Sequence, residues 1–450
     1  MVTRDALLAG LGACLLFSAI GCEEAGPLSP DEMKRLAAFQ LGSLPADLSN
    51  AKADDAAAAK LGKRFYFEAG LSGPLGPYNV AGVNGSLGPA GATGLVSCAS
   101  CHDPAAGGVD HRSLPAATSL GAGYTARNSP SVLNAAYSPL WQFWDGRKDS
   151  LWSQALAPPE GAAEGNTTRL AVVHFLASNY AQAYADVFGP MPDVSDLTRF
   201  PANGMPGDDS WTKMSLADQM TVNTVYANFG KAIAAYERRL VSPSFELSAF
   251  DRFMAGDGQA MSPAAIRGAR LFIGHAGCAE CHSGPMFSDY KFHNIGAPQQ
   301  GEYVPTSDDG RRDGVSPLPT DPFNRNGDFS DAKTDAHLIA FETPLSDDQK
   351  AELDGQFKTP CLRNVSKTAP YMHDGVYDNL WDVVNHYNFG GETGNYTGEK
   401  DPAISPLLLS SGDVDDLVEF LQALEDGAAL PTADFPEGLT APLPPPPPPP

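Results

Sequence analysis

Positive charge is scarce in this chain of 450 residues: 30 Lys and Arg face 54 Asp and Glu, a formal net charge of −24. Such a surface repels a phosphate backbone, which argues against nucleic acid as a partner and for a soluble exterior. It also favours a basic or uncharged docking partner over an acidic one. Long apolar runs are missing. The stretch Ala6 to Ile20, behind Arg4, is too short for a stable membrane span and suits a secretory signal. Alternation with period two is rare, so the fold class is expected to be mainly α. Seven cysteines give no disulfide framework, since four stand in two Cys-x-x-Cys pairs and the others are isolated.

Small residues Ala19 and Gly21 precede Cys22 as at a bacterial lipoprotein cleavage site, with Ala where Leu is usual. Residues 1–21 then form a signal peptide that carries Cys14 away. Cys22 becomes the lipid anchor of a periplasmic protein; an ordinary signal peptide cut nearby is the alternative. Residues 22–50 read as a tether with a first helix, 51–245 as an N-terminal domain and 246–428 as a C-terminal domain. The tail, 429–450, ends in seven prolines and should be extended.

Apolar spacing predicts helices over Ala57–Phe67, Ala264–Phe272, Leu380–Tyr387 and Val414–Leu424. A longer one starts at the N-cap Ser215, carries Val222, Val225, Tyr226, Phe229, Ile233, Tyr236 and Leu240, and stops at Ser242-Pro243. The segments 70–94 and 296–335, rich in Gly and Pro, are expected to be loop.

Two pentads dominate what is present: Cys98-Ala-Ser-Cys101-His102 and Cys278-Ala-Glu-Cys281-His282, 180 residues apart. Thiols three residues apart on one helical turn can add across the two vinyl groups of a haem, and the adjacent histidine can reach the iron as proximal ligand. A zinc half-site or a redox disulfide is the rival reading. A zinc ribbon, however, places its second pair about 15–20 residues on, and a redox disulfide wants a βαβ context that is absent here. Each pentad therefore predicts one covalent haem c. Cys361 is left as a small buried thiol.

Several longer segments resemble the bacterial dihaem cytochrome c peroxidases and the related MauG-like enzymes, which oxidise aromatic side chains of partner proteins. They are Arg127-Asn-Ser-Pro-Ser-Val-Leu-Asn134, Gln142-Phe-Trp-Asp-Gly-Arg147, Gly284-Pro-Met-Phe-Ser-Asp289, Phe292-His-Asn-Ile-Gly296, Phe357-Lys-Thr-Pro-Cys-Leu-Arg-Asn364 and Ala369-Pro-Tyr-Met-His-Asp-Gly375. The resemblance runs in unbroken order over about 55–430. It implies two cytochrome c-like helical domains with one haem each, and an active site near their interface. Hydrogen peroxide would react at the haem on His102, and electrons from a donor protein (a small cytochrome c or copper protein) would enter at the haem on His282. A homodimer is common in the family.

The resemblance also assigns residues. Glu164, twenty positions after Trp144 and ten after Gln154, matches the acid/base carboxyl over the peroxidatic iron, with Glu160 as its rival. Trp144 matches the tryptophan that carries charge between the haems. The Asn128 side chain and the carbonyls of Thr368 and Pro370 match a calcium site, and hard oxygen ligands suit that ion.

Two positions depart from the peroxidase pattern. Within Ser119-Leu-Gly-Ala-Gly-Tyr124, the histidine that blocks the peroxidatic iron in many relatives is replaced by Ala122, which cannot ligate; His111 is the conceivable substitute. The expectation is a free sixth position, competent without prior reduction. Where the peroxidases place a methionine on the second iron, seventeen residues after Pro370, this chain has Tyr387, as MauG-like enzymes do, with His386 as alternative. A phenolate favours oxidised iron. The chain thus mixes peroxidase and MauG-like features; a non-enzymatic dihaem electron-transfer cytochrome is the third reading.

Overall fold

A computed structural model describes residues 26–83, 85–112, 118–138, 140–242, 247–333 and 345–427. Cys14, Cys22, Pro243 and the tail 429–450 lie outside these, and with them the signal, anchor and tail readings. Among the described residues no helix is long and apolar enough to cross a membrane. The fold is mainly α, and among the described residues the one sheet is the short antiparallel pair Phe292–His293 and Phe357–Lys358.

Two apolar cores carry the chain, and each is built around a helix pair crossing at a glycine. In the first, Asp55 accepts from the backbone N–H groups of Ala57 and Ala58 at 2.8 and 3.0 Å and starts helix Ala56–Tyr66. Ser215 caps the long helix Leu216–Glu237 in the same way. A Cβ on Gly62 would lie 1.8 Å from the carbonyl oxygen of Ala232, so only glycine lets these two backbones meet. Phe65, Tyr66, Val225, Tyr226 and Phe229 fill the space around the crossing. In the second core, Ser262 caps Pro263–Ile273 and Ser410 caps Ser411–Gln422. Here a Cβ on Gly268 would lie 1.9 Å from the Asp416 carbonyl oxygen, and Phe272, Leu417 and Phe420 pack around it.

The halves repeat a second device. Asn134 and Asn364 both adopt left-handed backbone, φ 63°, which asparagine tolerates better than most residues. The Asn134 N–H donates to the Leu240 carbonyl at 2.8 Å, and the Asn364 N–H to that of Leu424 at 3.1 Å. Each side chain then accepts the N–H two residues further on, from Ser242 at 2.7 Å and Asp426 at 2.8 Å. The two staples meet, because the Ser242 hydroxyl donates to Asp426 Oδ2 at 2.5 Å. One arrangement used twice, in register with one pentad each, is what two cytochrome c-like domains require. Arg127 adds a further bond between the halves, gripping Asp308 with two hydrogen bonds of 2.7 Å and Asp145 with a third.

Helix starts agree with the apolar spacing to within three residues, the long helix ends at Glu237, short of the expected stop at Ser242-Pro243, and the segment 70–94 forms turns and one short 3-10 turn. The first helix expected within 22–50 is present, and 296–335 holds more structure than its composition implies. Within 22–50, Pro30–Leu36 is a helix with a capping box between Ser29 and Glu32. Leu36 and Phe39 are buried in the C-terminal core, Phe39 stacked on Phe287 at 4.7 Å. This part of the segment is a piece of the second core as well as a connector. Within 296–335, helix Arg311–Val315 and the turn Leu318–Thr320 interrupt the loop. Elements this short leave no period to read.

Candidate active site

The first pentad forms a single helical turn, Cys98–Cys101, that ends on His102. His102 Nδ1 lies 2.9 Å from the Pro130 carbonyl, and His282 Nδ1 lies 2.9 Å from that of Phe287. A carbonyl can only accept, so Nδ1 carries the proton in both rings and Nε2 is left as the ligating nitrogen. Burial lowers both pKa values, which keeps the imidazoles neutral as ligation requires. All four pentad cysteines are free thiols. Two thiols followed directly by a histidine at each pentad form a donor set that fits a haem c.

A cavity of about 440 Å³ opens beside His102, walled by Trp144, Gln154, Glu164 and Glu237 among others. Its size falls in the range of about 300–1,000 Å³ typical of cofactor sites. The two rival carboxylates separate clearly. Glu160 accepts from Arg169 Nε at 2.7 Å, from Nη2 at 2.9 Å and from the Arg169 N–H at 3.2 Å, so it is occupied. Glu164 faces the cavity, and burial raises its carboxyl against the opposing pull of Arg147. Trp144 stands at the contact of the two halves. Its indole N–H donates to the Asn128 carbonyl at 2.8 Å, and the Lys358 N–H donates to its own carbonyl at 2.7 Å.

Ala122 is held against the same wall, its N–H donating to the Glu164 carbonyl at 2.9 Å, and offers only a methyl group. His111 is exposed and does not line the cavity. The oxidised protein should therefore show a high-spin ferric component from the N-terminal haem. An electron paramagnetic resonance spectrum with low-spin signals alone would contradict this.

One cavity group has no counterpart in the motif reading. Glu237, at the end of the long helix, is 4% exposed. Its Oε2 has no hydrogen-bond partner among the described residues, and burial pushes its carboxyl up to about 8. A glutamate between Tyr236 and Arg238, on the face that carries Tyr226 and Ile233, was the available signal.

At the second centre, Tyr387 lies beside the pentad. Burial, and then the Cys278 and Cys281 thiols, raise its phenol. His386 has both ring nitrogens engaged, Nε2 with the Ile295 carbonyl at 3.0 Å and Nδ1 with the Tyr377 hydroxyl at 3.1 Å, which leaves neither for iron. Between the halves, the Asn128 amide donates to the Pro370 carbonyl at 2.7 Å. Its Oδ1, buried, has no partner among the described residues. An orphaned oxygen beside a carbonyl is a fitting donor pair for a hard cation. Cys361 is partly buried and packs against the first core.

The two pentads fit a two-haem protein, and comparison with known proteins leads to a di-haem family. The family model for di-haem cytochrome c peroxidases matches residues 56–259. The chain is 30% identical over 430 residues to cytochrome-c peroxidase IdrP1 of Pseudomonas sp. strain SCT, covering 93% of this chain and 90% of that protein. It is 32% identical over 339 residues to the methylamine utilization protein MauG of Methylorubrum extorquens, covering 74% and 73%. The diheme peroxidase BthA of Burkholderia thailandensis shares the fold, with a TM-score of 0.58 at 22% identity over 88% of this chain and 93% of that one. The chain belongs to the dihaem cytochrome c peroxidase and MauG family.

Proposed function

We propose that the protein reduces hydrogen peroxide to water at the His102 haem, with electrons entering through the His282 haem. The observation that supports this most is the Glu164 carboxyl facing the cavity of His102 while Glu160 is bound to Arg169. Cys98, Cys101 and His102, and likewise Cys278, Cys281 and His282, would each hold one haem, whose iron would supply the redox chemistry. The protein supplies the proton traffic. Glu164, raised above the ordinary carboxylate range, takes a proton from the near peroxide oxygen and returns it to the far one, so that water leaves rather than hydroxide. Gln154 lines the same cavity and can orient the peroxide by donating from its amide. Trp144 provides the aromatic link across the domain contact. The test is peroxide consumption by the holoprotein with a reduced small cytochrome c or copper protein as donor. A ferric protein inert to peroxide would favour the electron-transfer reading and remove this one.

In this reading the N-terminal unit spans 51–245 and the C-terminal unit 246–428, in a periplasmic protein anchored through Cys22. Asn128 Oδ1 with the Thr368 and Pro370 carbonyls would hold a calcium ion that braces the contact. A homodimer is part of the same proposal.

Tyr387 favours a second reading, in which the reductant is an aromatic residue of a partner protein, as in the MauG-like enzymes. A phenolate on the second iron lowers its potential relative to a thioether. Tyr387→Met should therefore raise the potential of the C-terminal haem in a spectroelectrochemical titration. An unchanged potential would remove Tyr387 from the iron.

A further inference from the structure

Three tyrosines from separate segments meet at the surface: Tyr78 of the glycine-rich stretch, Tyr124 beside Ala122, and Tyr303 from the second half. Tyr124 and Tyr303 are stacked with centroids 3.5 Å apart and planes 7° from parallel. Tyr78 meets each of them edge-on at 5.6 Å and is 57% exposed. We propose that this triad is a surface oxidation site, through which oxidising equivalents from the N-terminal centre reach small phenols in solution. The inference rests on the peroxide reading above.

Three observations carry it. The triad is tied to the cavity wall, since Tyr124 follows Ala122 and Gly123, whose N–H groups donate to the Glu164 and Ala163 carbonyls, both at 2.9 Å. The rings are phenols in mutual contact, and stacked π-systems share a positive hole better than isolated ones. A proton acceptor is also close by: the neighbouring Glu302 carboxylate raises the Tyr303 phenol. Removing an electron from a phenol releases its proton, and Glu302 can take it.

The balance closes with peroxide as oxidant. One hydrogen peroxide takes two electrons and two protons to give two waters. Two external phenols each lose one electron and one proton, giving two phenoxyl radicals. Within the protein, Tyr303 gives its electron towards the cavity and its proton to Glu302, and recovers both from the phenol at the surface.

The test uses the holoprotein with both haems, mixed with stoichiometric peroxide and no donor. It is read by freeze-quench electron paramagnetic resonance and by peptide mass spectrometry. The expected result is a tyrosyl radical, with oxidised or cross-linked products on the peptides of Tyr78, Tyr124 and Tyr303 and not on the other tyrosines. In the double variant Tyr124→Phe with Tyr303→Phe, which keeps the stacked rings, radical and products should be lost. Oxidation of guaiacol should be lost with them, while peroxide consumption with reduced cytochrome c persists. Peroxide consumed by wild-type protein with the triad peptides unmodified would overturn this inference and leave the peroxide reading standing. No peroxide consumed at all would overturn both. The wild-type peptide map decides the matter even if the variant fails to fold.

Discussion

Replacing Glu164 by Gln lowers peroxide turnover by about 10²–10⁴-fold while both haems remain attached. The substitution keeps the shape of the side chain and removes only its ability to carry a proton. The carboxyl is already tuned for this work, because burial raises it. Its basic form is therefore lost as pH falls through a value above the ordinary glutamate range. The wild-type rate should show that acid limb, and the variant should not. Glu237→Gln is the matching control, since Glu237 lines the same cavity; it should keep most of the turnover. Steady-state rates with an unchanged haem spectrum check both variants. If Glu237→Gln abolished turnover and Glu164→Gln did not, the proton carrier would be Glu237.

The second large effect is on stability. Arg363 lies next to the end of the segment Phe357–Asn364, and its side chain is 0% exposed against 7% for its partner Asp251. The guanidinium donates to Asp251 at 2.7 and 3.1 Å, to the Phe39 carbonyl at 3.0 Å and to the Pro285 carbonyl at 2.6 Å. It thus joins the N-terminal segment, the start of the second domain and the loop behind His282. Arg363→Ala leaves the Asp251 carboxylate buried without its cation, which costs about 3–5 kcal/mol. A matching fall should appear in chemical denaturation followed by loss of the C-terminal haem signal. A shift below about 1 kcal/mol, the value of an exposed pair, would mean that water reaches Asp251 and that the site is not closed.

Much of this protein could be read without coordinates. Covalent haem attachment needs two thiols and a histidine within one helical turn, so five contiguous residues specify it, and they occur twice. The long helices were legible because Val222 to Tyr236 and Ala264 to Phe272 hold their apolar period over several turns, with Ser215 and Ser262 as caps. The short helix Arg311–Val315 and the packing of Leu36 and Phe39 into the second core were not, since neither leaves a periodic signal.

Contiguous chemistry and sustained periodicity are properties of the chain itself, and they pointed to the two haem-attachment pentads and the mainly helical class, whereas the reading of Ala122 came from the family resemblance. The surroundings of Glu164 and Glu160, and of Tyr387 and His386, belong to the tertiary structure. Apart from the family resemblance, which points to Glu164 and Tyr387, carboxylates four residues apart, or neighbouring rings on one helix, look alike as sequence. They differ only when Arg169 folds back onto Glu160, and when Ile295 and Tyr377 occupy both nitrogens of His386. Such partners come from distant parts of the chain, and only folding brings them into contact.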